Sequence, residues 1–471
     1  MPILSRRPMP RRLATLALIA AAAPSLAACG SVGNLAGVSS GYISHQLCSA
    51  AFTSGLDPET YYREALAPSL SFAAGLAHHH VDTTARTVTA DLAGMAKRRA
   101  VFTPGLGCRV EHEGDPAAVA VTLPPPAPAL LPPIAGPDLV TATDPALTAA
   151  LDHAFVETRS GPHRFTKAVV VVHDGKVIAE RYAPGYGVDT PILGWSMTKS
   201  VTNALLGILV REGKISMQGP APIAAWSDPK DPRHAISPDN LERMASGLDI
   251  GQSMTQNFFT AFDPTAHMVF DTGDMAAYAE RARLKSPPGA AWTYTNGNIL
   301  LLSRVIRDQI GGDAPSVLRF AHRELFDKLG MTKVTLEFDA AGTPIGASHM
   351  WASARDWARF GMLYLDDGVV GGERILPAGW TDYSARLTPG SEAYGYGAGF
   401  WTNRGDGAGV RRRTGGGMPA DSYFARGSQG QYTIIIPSRK LVIVRMGMAH
   451  TPYEDMDTVA QLVREVVAAT N

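Results

Sequence analysis

The stretch Gly194-Trp195-Ser196-Met197-Thr198-Lys199-Ser200 opens a segment that continues with Val201, Ala204, Leu205, Leu206, Ile208, Leu209 and Val210. That continuation is apolar on nearly every side. A helix of ~3.6 residues per turn then has no face left for water, so it must be buried and the rest of the chain built around it. Ser196 and Lys199 are three apart and fall on one helix face, one turn from each other. A serine at such a start has its hydroxyl at the positive end of the helix dipole, beside free backbone N–H groups. A lysine held there in partly apolar surroundings loses its proton below its free value of about 10.4 and can take one from the hydroxyl. Ser196 is the candidate nucleophile and Lys199 part of its base.

The spacing alone decides little, because Ser227-Asp228-Pro229-Lys230 repeats it. That copy lies among Asp and Pro residues with no apolar helix behind it, and reads as a turn.

The chain opens with an export signal, residues 1–28: Arg6, Arg7, Arg11 and Arg12, then the apolar run Leu13 to Ala23, then Leu26-Ala27-Ala28-Cys29. The run is shorter than the about 20 residues a membrane span needs. Its ending resembles the lipobox of bacterial lipoproteins, which implies lipidation at Cys29; the alternative is an ordinary secreted protein cut near Ala28. Gly30 is not acidic, which favours an outer-membrane anchor facing the periplasm. Two cysteines remain, Cys48 and Cys108, and an oxidising compartment suggests a disulfide, with two separate buried thiols as the alternative.

Hydrophobic residues make up 45% of the chain, charged residues 18%, and the formal net charge is zero. No basic stripe points to nucleic acid. The 471 residues exceed what one core usually serves. The expected division is an extension over 29–122, a Pro-rich linker over 123–140 and a catalytic domain over 141–471. In the extension, Pro58 to Ala77 and Val88 to Arg99 have helix-compatible periodicity. His78, His79 and His80 are consecutive, whereas helical metal sites space histidines about one turn apart, so they read as a solvated triplet.

The catalytic domain begins with Ala168 to Val172 and Val177 to Tyr182 around His173-Asp174-Gly175-Lys176, a hairpin pattern. Helical patterns broken by Pro, Gly and Asp follow from Gly213 to about Asp382. Strands return at Tyr432 to Ile436 and Leu441 to Arg445, and a last helix at about Asp455 to Ala469 carries Val459, Leu462, Val463, Val466 and Val467 on one stripe. Strands at both ends predict an α+β fold: one antiparallel β-sheet flanked by helices, with an inserted, mostly helical lobe. Ser196 then lies in the cleft between them.

A second proton carrier is needed. Tyr294-Thr295-Asn296 follows Pro287-Pro288-Gly289 and precedes the apolar run Ile299 to Ile306, so it sits on a loop held between a turn and a helix. A tyrosine near a lysine ammonium can relay a proton.

Ser196-Met197-Thr198-Lys199 with Tyr294-Thr295-Asn296 resembles the first two motifs of the SxxK serine hydrolases related to class C β-lactamases and penicillin-binding proteins. Flanking residues, Asp274 to Ala279 and Trp351 to Gly361, resemble the branch of 6-aminohexanoate-dimer hydrolases and family VIII carboxylesterases. The likeness runs from about Leu151 to the end. It implies an acyl-enzyme on Ser196, acid and base work shared by Lys199 and Tyr294, and a positioning role for Asn296. The third motif departs from the family: Lys-Thr-Gly or His-Thr-Gly is replaced by Phe424-Ala425-Arg426-Gly427-Ser428-Gln429-Gly430-Gln431. Here Gly427 and Gln431 are the expected substrate-positioning residues. The backbone N–H of Ser428, with Ala425 the alternative, is the expected oxyanion donor beside that of Ser196. The missing cation, which Arg426 replaces only if its charge faces the cleft, moves the expectation from β-lactams and D-Ala-D-Ala peptides toward small esters or amides. The other readings are β-lactamase or carboxypeptidase activity, or a non-catalytic envelope lipoprotein that binds peptidoglycan fragments.

Gly194 to Thr198 is not Gly-x-Ser-x-Gly, and there is no His-Glu-x-x-His, phosphate loop or dinucleotide fingerprint. No metal or organic cofactor is implied. The expected partners are a small ester or amide substrate and, through the amino-terminal lipid only, a membrane.

Overall fold

The computed structural model describes residues 33–157, 163–253, 258–450 and 456–470; Cys29 and the signal segment lie outside them. The extension opens with a helix over 33–48 (α1) and continues through irregular helical turns from Pro58 to Leu76. Four antiparallel strands follow in sequential order: β1 Ala77–Asp82, β2 Thr87–Leu92, β3 Met95–Thr103 and β4 Gly107–Val110. The helix expected over Val88 to Arg99 is therefore a hairpin, β2 and β3. Ala93 and Gly94 both sit at positive φ (55° and 75°), and the Asp91 carboxylate accepts from the Gly94 N–H at 2.7 Å. That local turn outweighs a weak helical period, and the side chains entering β3 then alternate between more and less exposed as a strand requires. The three histidines lie on or beside the same sheet edge, with His78 against Asp91 and His79 against Glu59. Cys48 and Cys108 are joined by a disulfide with Cα atoms 6.0 Å apart, which ties the end of α1 to β4.

The Pro-rich stretch is no free linker. Leu131 and Ile134 are buried, and the backbone N–H groups of Leu130 and Val177 bond to the carbonyls of Lys328 and Ile134, both at 2.9 Å. Helix α2 (Pro145–Ala154) then leads to β5 (Thr166–His173) and β6 (Lys176–Tyr182). Asp174 and Gly175 turn the hairpin with φ of 46° and 79°, which suits the right-handed twist of the strands.

Strand β7 (Ile192–Leu193) precedes a single 3₁₀ turn, Trp195–Met197, and the buried helix α3 (Thr198–Arg211). The lobe between holds α4 (Pro238–Glu242), α5 (Asn296–Ile310), β8 (Val334–Leu336), β9 (Met350–Ala352), α6 (Ala354–Leu365) and the short hairpin β10 (Val369–Val370) and β11 (Glu373–Arg374). The chain returns to the main sheet with β12 (Trp401–Thr402), β13 (Tyr423–Gly427), β14 (Gln431–Ile436) and β15 (Leu441–Gly447), and ends in α7 (Met456–Ala469). The six-stranded sheet has the order β12-β13-β14-β15-β5-β6, antiparallel throughout, so β15 joins segments far apart in the chain. Every residue of β14 and β15 is buried, so helices cover both faces. Gly361 lets α6 close on the sheet: a Cβ there would lie 2.6 Å from Val442. Among the described residues no helix is long and apolar enough to cross a membrane.

Candidate active site

From Ile192 to Leu209 every residue is buried except Ser196, which is half-buried. The polar residues of this segment are held in place by hydrogen bonds. Thr198 donates to the Trp195 carbonyl at 2.7 Å and accepts from Met350 N–H, Ser200 donates to the Gly399 carbonyl at 2.6 Å, and Thr202 to that of Gly346 at 2.9 Å. Gly194 lies so close to Trp357 that a Cβ would meet its ring at 2.3 Å. The turn is thus held by its hydrogen bonds and by Trp357, and Ser196 is its one residue that is not buried.

Lys199 is 1% exposed, and burial pushes its amine from the usual 10.5 down to about 7. Its Nζ lies 2.7 Å from Asn296 Oδ1, 2.7 Å from the Ala347 carbonyl and 3.0 Å from Ser196 Oγ. A neutral amine has two N–H bonds and one lone pair. The first two partners only accept, so they take the N–H bonds and leave the lone pair facing the serine hydroxyl. Ala347 carries no sequence signal for this role, because any residue supplies a carbonyl.

The Tyr294 ring is buried with its centroid 5.0 Å from the same Nζ, packed against Tyr396 and Trp401. Its loop is rigid for local reasons. Thr295 caps α5 by accepting from the Gly297 N–H, and Ser253 bonds twice: its N–H to the Tyr294 carbonyl at 2.9 Å, its hydroxyl from the Asn296 N–H at 3.2 Å. Ser253 has no motif around it and was not legible in the sequence. The Asn296 side chain accepts from the lysine amine rather than facing open space.

The third motif reaches the site by its backbone. A Cβ on Gly427 would lie 2.0 Å from the Gly194 carbonyl, so only glycine lets the end of β13 approach the nucleophile turn. Ser428 is half-buried in the turn beyond, whereas Ala425 is fully buried in the ladder opposite Thr433. Gln431, expected to position substrate, is instead spent on the fold: its amide nitrogen bonds to the Gly447 carbonyl, and its oxygen accepts from the Gly447 N–H at 3.0 Å. A glutamine on the central sheet closes a backbone gap more cheaply than it reaches a ligand. The Arg426 guanidinium lies 5.1 Å from the Trp401 ring centroid and 5.9 Å from that of Tyr432.

Two further buried groups went unread in the sequence. Glu242 is fully buried, neither carboxyl oxygen makes a hydrogen bond, and burial raises its acid to about 8. It lies behind α3: a Cβ on Gly399 would be 2.5 Å from its Oε1 and 3.3 Å from the Lys199 carbonyl. His45, Glu337 and His349 bring ligand-type atoms within 4.8 Å of one another. Glu337 accepts from Ser49 at 2.6 Å and from the Cys108 N–H at 3.0 Å and meets His45 at 3.0 Å, while His349 meets Gln46 and Ser348. His45 Nε2 and Glu337 are paired with each other, and His349 stacks on His45 with its ring centroid 4.5 Å away while bonding to Gln46 and Ser348.

A six-stranded antiparallel sheet, a helical lobe, and a serine–lysine pair at the foot of the buried helix between them define the fold class of β-lactamases and penicillin-binding proteins. The chain belongs to the Beta-lactamase family, which residues 151–468 match, and so to the β-lactamase-like serine hydrolase superfamily. It is 24% identical over 316 residues to a 6-aminohexanoate-dimer hydrolase of Paenarthrobacter ureafaciens, covering 62% of this chain and 74% of that one. In fold it is similar to a protein of Bacillus anthracis provisionally named 6-aminohexanoate-dimer hydrolase (TM-score 0.55, 22% identity, 67% of this chain and 84% of that one). It is also similar to EstCE1, a hydrolase with promiscuous acyltransferase activity (TM-score 0.52, 14% identity, 68% and 97%).

Proposed function

We propose that this protein is a serine hydrolase that cleaves small esters or amides through an acyl-enzyme on Ser196. The observation that carries the reading is the lone pair of Lys199, left facing the Ser196 hydroxyl once Asn296 and Ala347 have taken the two N–H bonds of the neutral amine. The Ser196 oxygen attacks the substrate carbonyl while its proton passes to Nζ. The backbone N–H groups of Ser196 and Ser428 receive the developing oxyanion. The leaving alcohol or amine takes the proton back, with the Tyr294 phenol as its relay, and the C–O or C–N bond breaks. Water repeats the sequence on the acyl-enzyme, releasing acid and restoring the hydroxyl.

The third motif supports this substrate class. No Lys-Thr-Gly or His-Thr-Gly stands before the last strands, and the Arg426 guanidinium packs beside the Trp401 and Tyr432 rings, which favours a substrate without a β-lactam or D-Ala carboxylate. The kinship with a 6-aminohexanoate-dimer hydrolase supports an amide or ester as substrate. The test is hydrolysis of a short-chain aryl ester by the purified protein and by Ser196→Ala. The variant should retain less than about one part in a thousand of the rate. Equal rates would remove Ser196 from the mechanism.

A further inference from the structure

Gln429 stands where a side chain is disfavoured. Its φ is +64°, in the left-handed region that glycine occupies without cost, and it is 2% exposed in the turn after β13. Trp195, directly before the nucleophile, is strained in the same sense at φ +48°. The two side chains meet: the Trp195 indole N–H donates to Gln429 Oε1 at 3.1 Å. The other end of the amide, Nε2, donates to the Ala65 carbonyl at 2.7 Å. Turning the amide over would set oxygen against oxygen at Ala65 and nitrogen against nitrogen at Trp195, so only one orientation satisfies both ends.

Ala65 belongs to the extension, outside the segment that matches the family. It is buried, and its surroundings are anchored on the catalytic domain. The Glu64 carboxylate meets Lys167 at 2.6 Å, the Glu64 carbonyl lies 3.1 Å from His450 Nε2, and the Tyr42 ring stacks 6.4 Å from that of Trp195. The Gln429 carbonyl is held too, by the Ala449 N–H at 2.9 Å and by Arg445 at 3.2 Å. A glutamine kept in a conformation that suits glycine, with each end of its amide on a different structural unit, acts as a tie.

We propose that Gln429 is a positioning residue through which the amino-terminal extension holds the turn carrying Ser196 and the turn after β13 at a fixed separation. The inference rests on the serine hydrolase reading for its consequence and not for its geometry. A nucleophile and an oxyanion donor that drift apart by a fraction of an ångström lose transition-state contacts before they lose substrate binding, so the effect falls on kcat rather than KM.

The test compares Gln429→Met, which keeps the volume and removes both hydrogen bonds, with Gln429→Gly, which relieves the strained φ and removes the tie. Both should lower kcat for an aryl ester, and the rate of labelling by a fluorophosphonate, roughly 10- to 100-fold with KM changed less than about threefold. Gln429→Gly should do so without any fall in Tm proportionate to the loss. In both variants amide hydrogen exchange should quicken in the peptides spanning 194–198 and 62–66. If Gln429→Gly works at the wild-type rate, or exchange in both peptides is unchanged, the proposal is overturned. Exchange needs no activity, so a protein that neither hydrolyses nor labels would sink the hydrolase reading while the tie is still decided by the exchange result.

Discussion

Lys199 Nζ has three hydrogen-bond partners, Ser196, Asn296 and Ala347. Its amine titrates near pH 7 because burial disfavours the ammonium, and the charge of Glu242 pulls it back upward. Below that value the lone pair is protonated and the base is gone. Ester hydrolysis, measured as kcat/KM, should therefore rise about tenfold per pH unit up to about pH 7 and level off above it. Glu242, whose own acid is raised to about 8, carries little of that charge along the limb, so Glu242→Gln should move the limb only slightly, to lower pH. The same change has a stability signature. A carboxyl raised in the fold contributes stability below the unfolded value near 4.5 that is lost as pH rises to about 8. Glu242→Gln should therefore gain stability relative to the native chain on going from pH 5 to pH 9, by about 1–4 kcal/mol, read as a shift in the denaturant midpoint. At this scale the serine and lysine were legible because their spacing lies within one helix turn, and Tyr294 because its loop is framed by Pro287-Pro288-Gly289 and the apolar start of α5. Ala347 and Ser253 were not, since a carbonyl and a lone hydroxyl leave no trace in the residue pattern. Gln431 misled because a motif position says nothing of whether its amide faces a ligand or the sheet.

Among the elements, β13 bears most on the site. Its last residue touches the backbone of Gly194, so its register sets where Ser428 falls. Gly427→Ala would drive a methyl group to 2.0 Å from the Gly194 carbonyl. The backbone of two strained turns has little room to yield, and the expected cost is about 1–3 kcal/mol with loss of most turnover, measured by chemical denaturation and ester hydrolysis on the same preparation. The hairpin β5–β6, the pair β14–β15 and helix α7 were all legible, because Val-rich and Ile-rich runs and the amphipathic stripe carry their own periods. The β2–β3 hairpin was not. Its strands mix Thr, Ala, Lys and Arg, and the turn at Ala93 and Gly94, not an apolar alternation, decides the structure.

Over the whole molecule, the extension works as a wall. Its core includes Ile43, Leu47, Cys48 and Tyr61 from one side of the junction and Leu193, Trp195, Trp351 and Met448 from the other. Glu337, fully buried, is the polar centre of that junction, joined to His45, Ser49 and the backbone beside the disulfide. Glu337→Ala leaves several donors unpaired in a dry interior. It should cost about 3–5 kcal/mol, seen as a fall in Tm.

The sequence by itself determined the buried helix, the serine and lysine one turn apart on it, and four of the six strands of the main sheet, because each rests on neighbours within a few residues. Only the tertiary structure decided what surrounds that pair. The carbonyl that takes an N–H from the base, the buried acid behind the helix, and the extension laid against the nucleophile turn all come from residues tens to hundreds of positions away. Hydrogen bonds and burial depend on distance in space, and spacing along the chain reports that distance only within a local element.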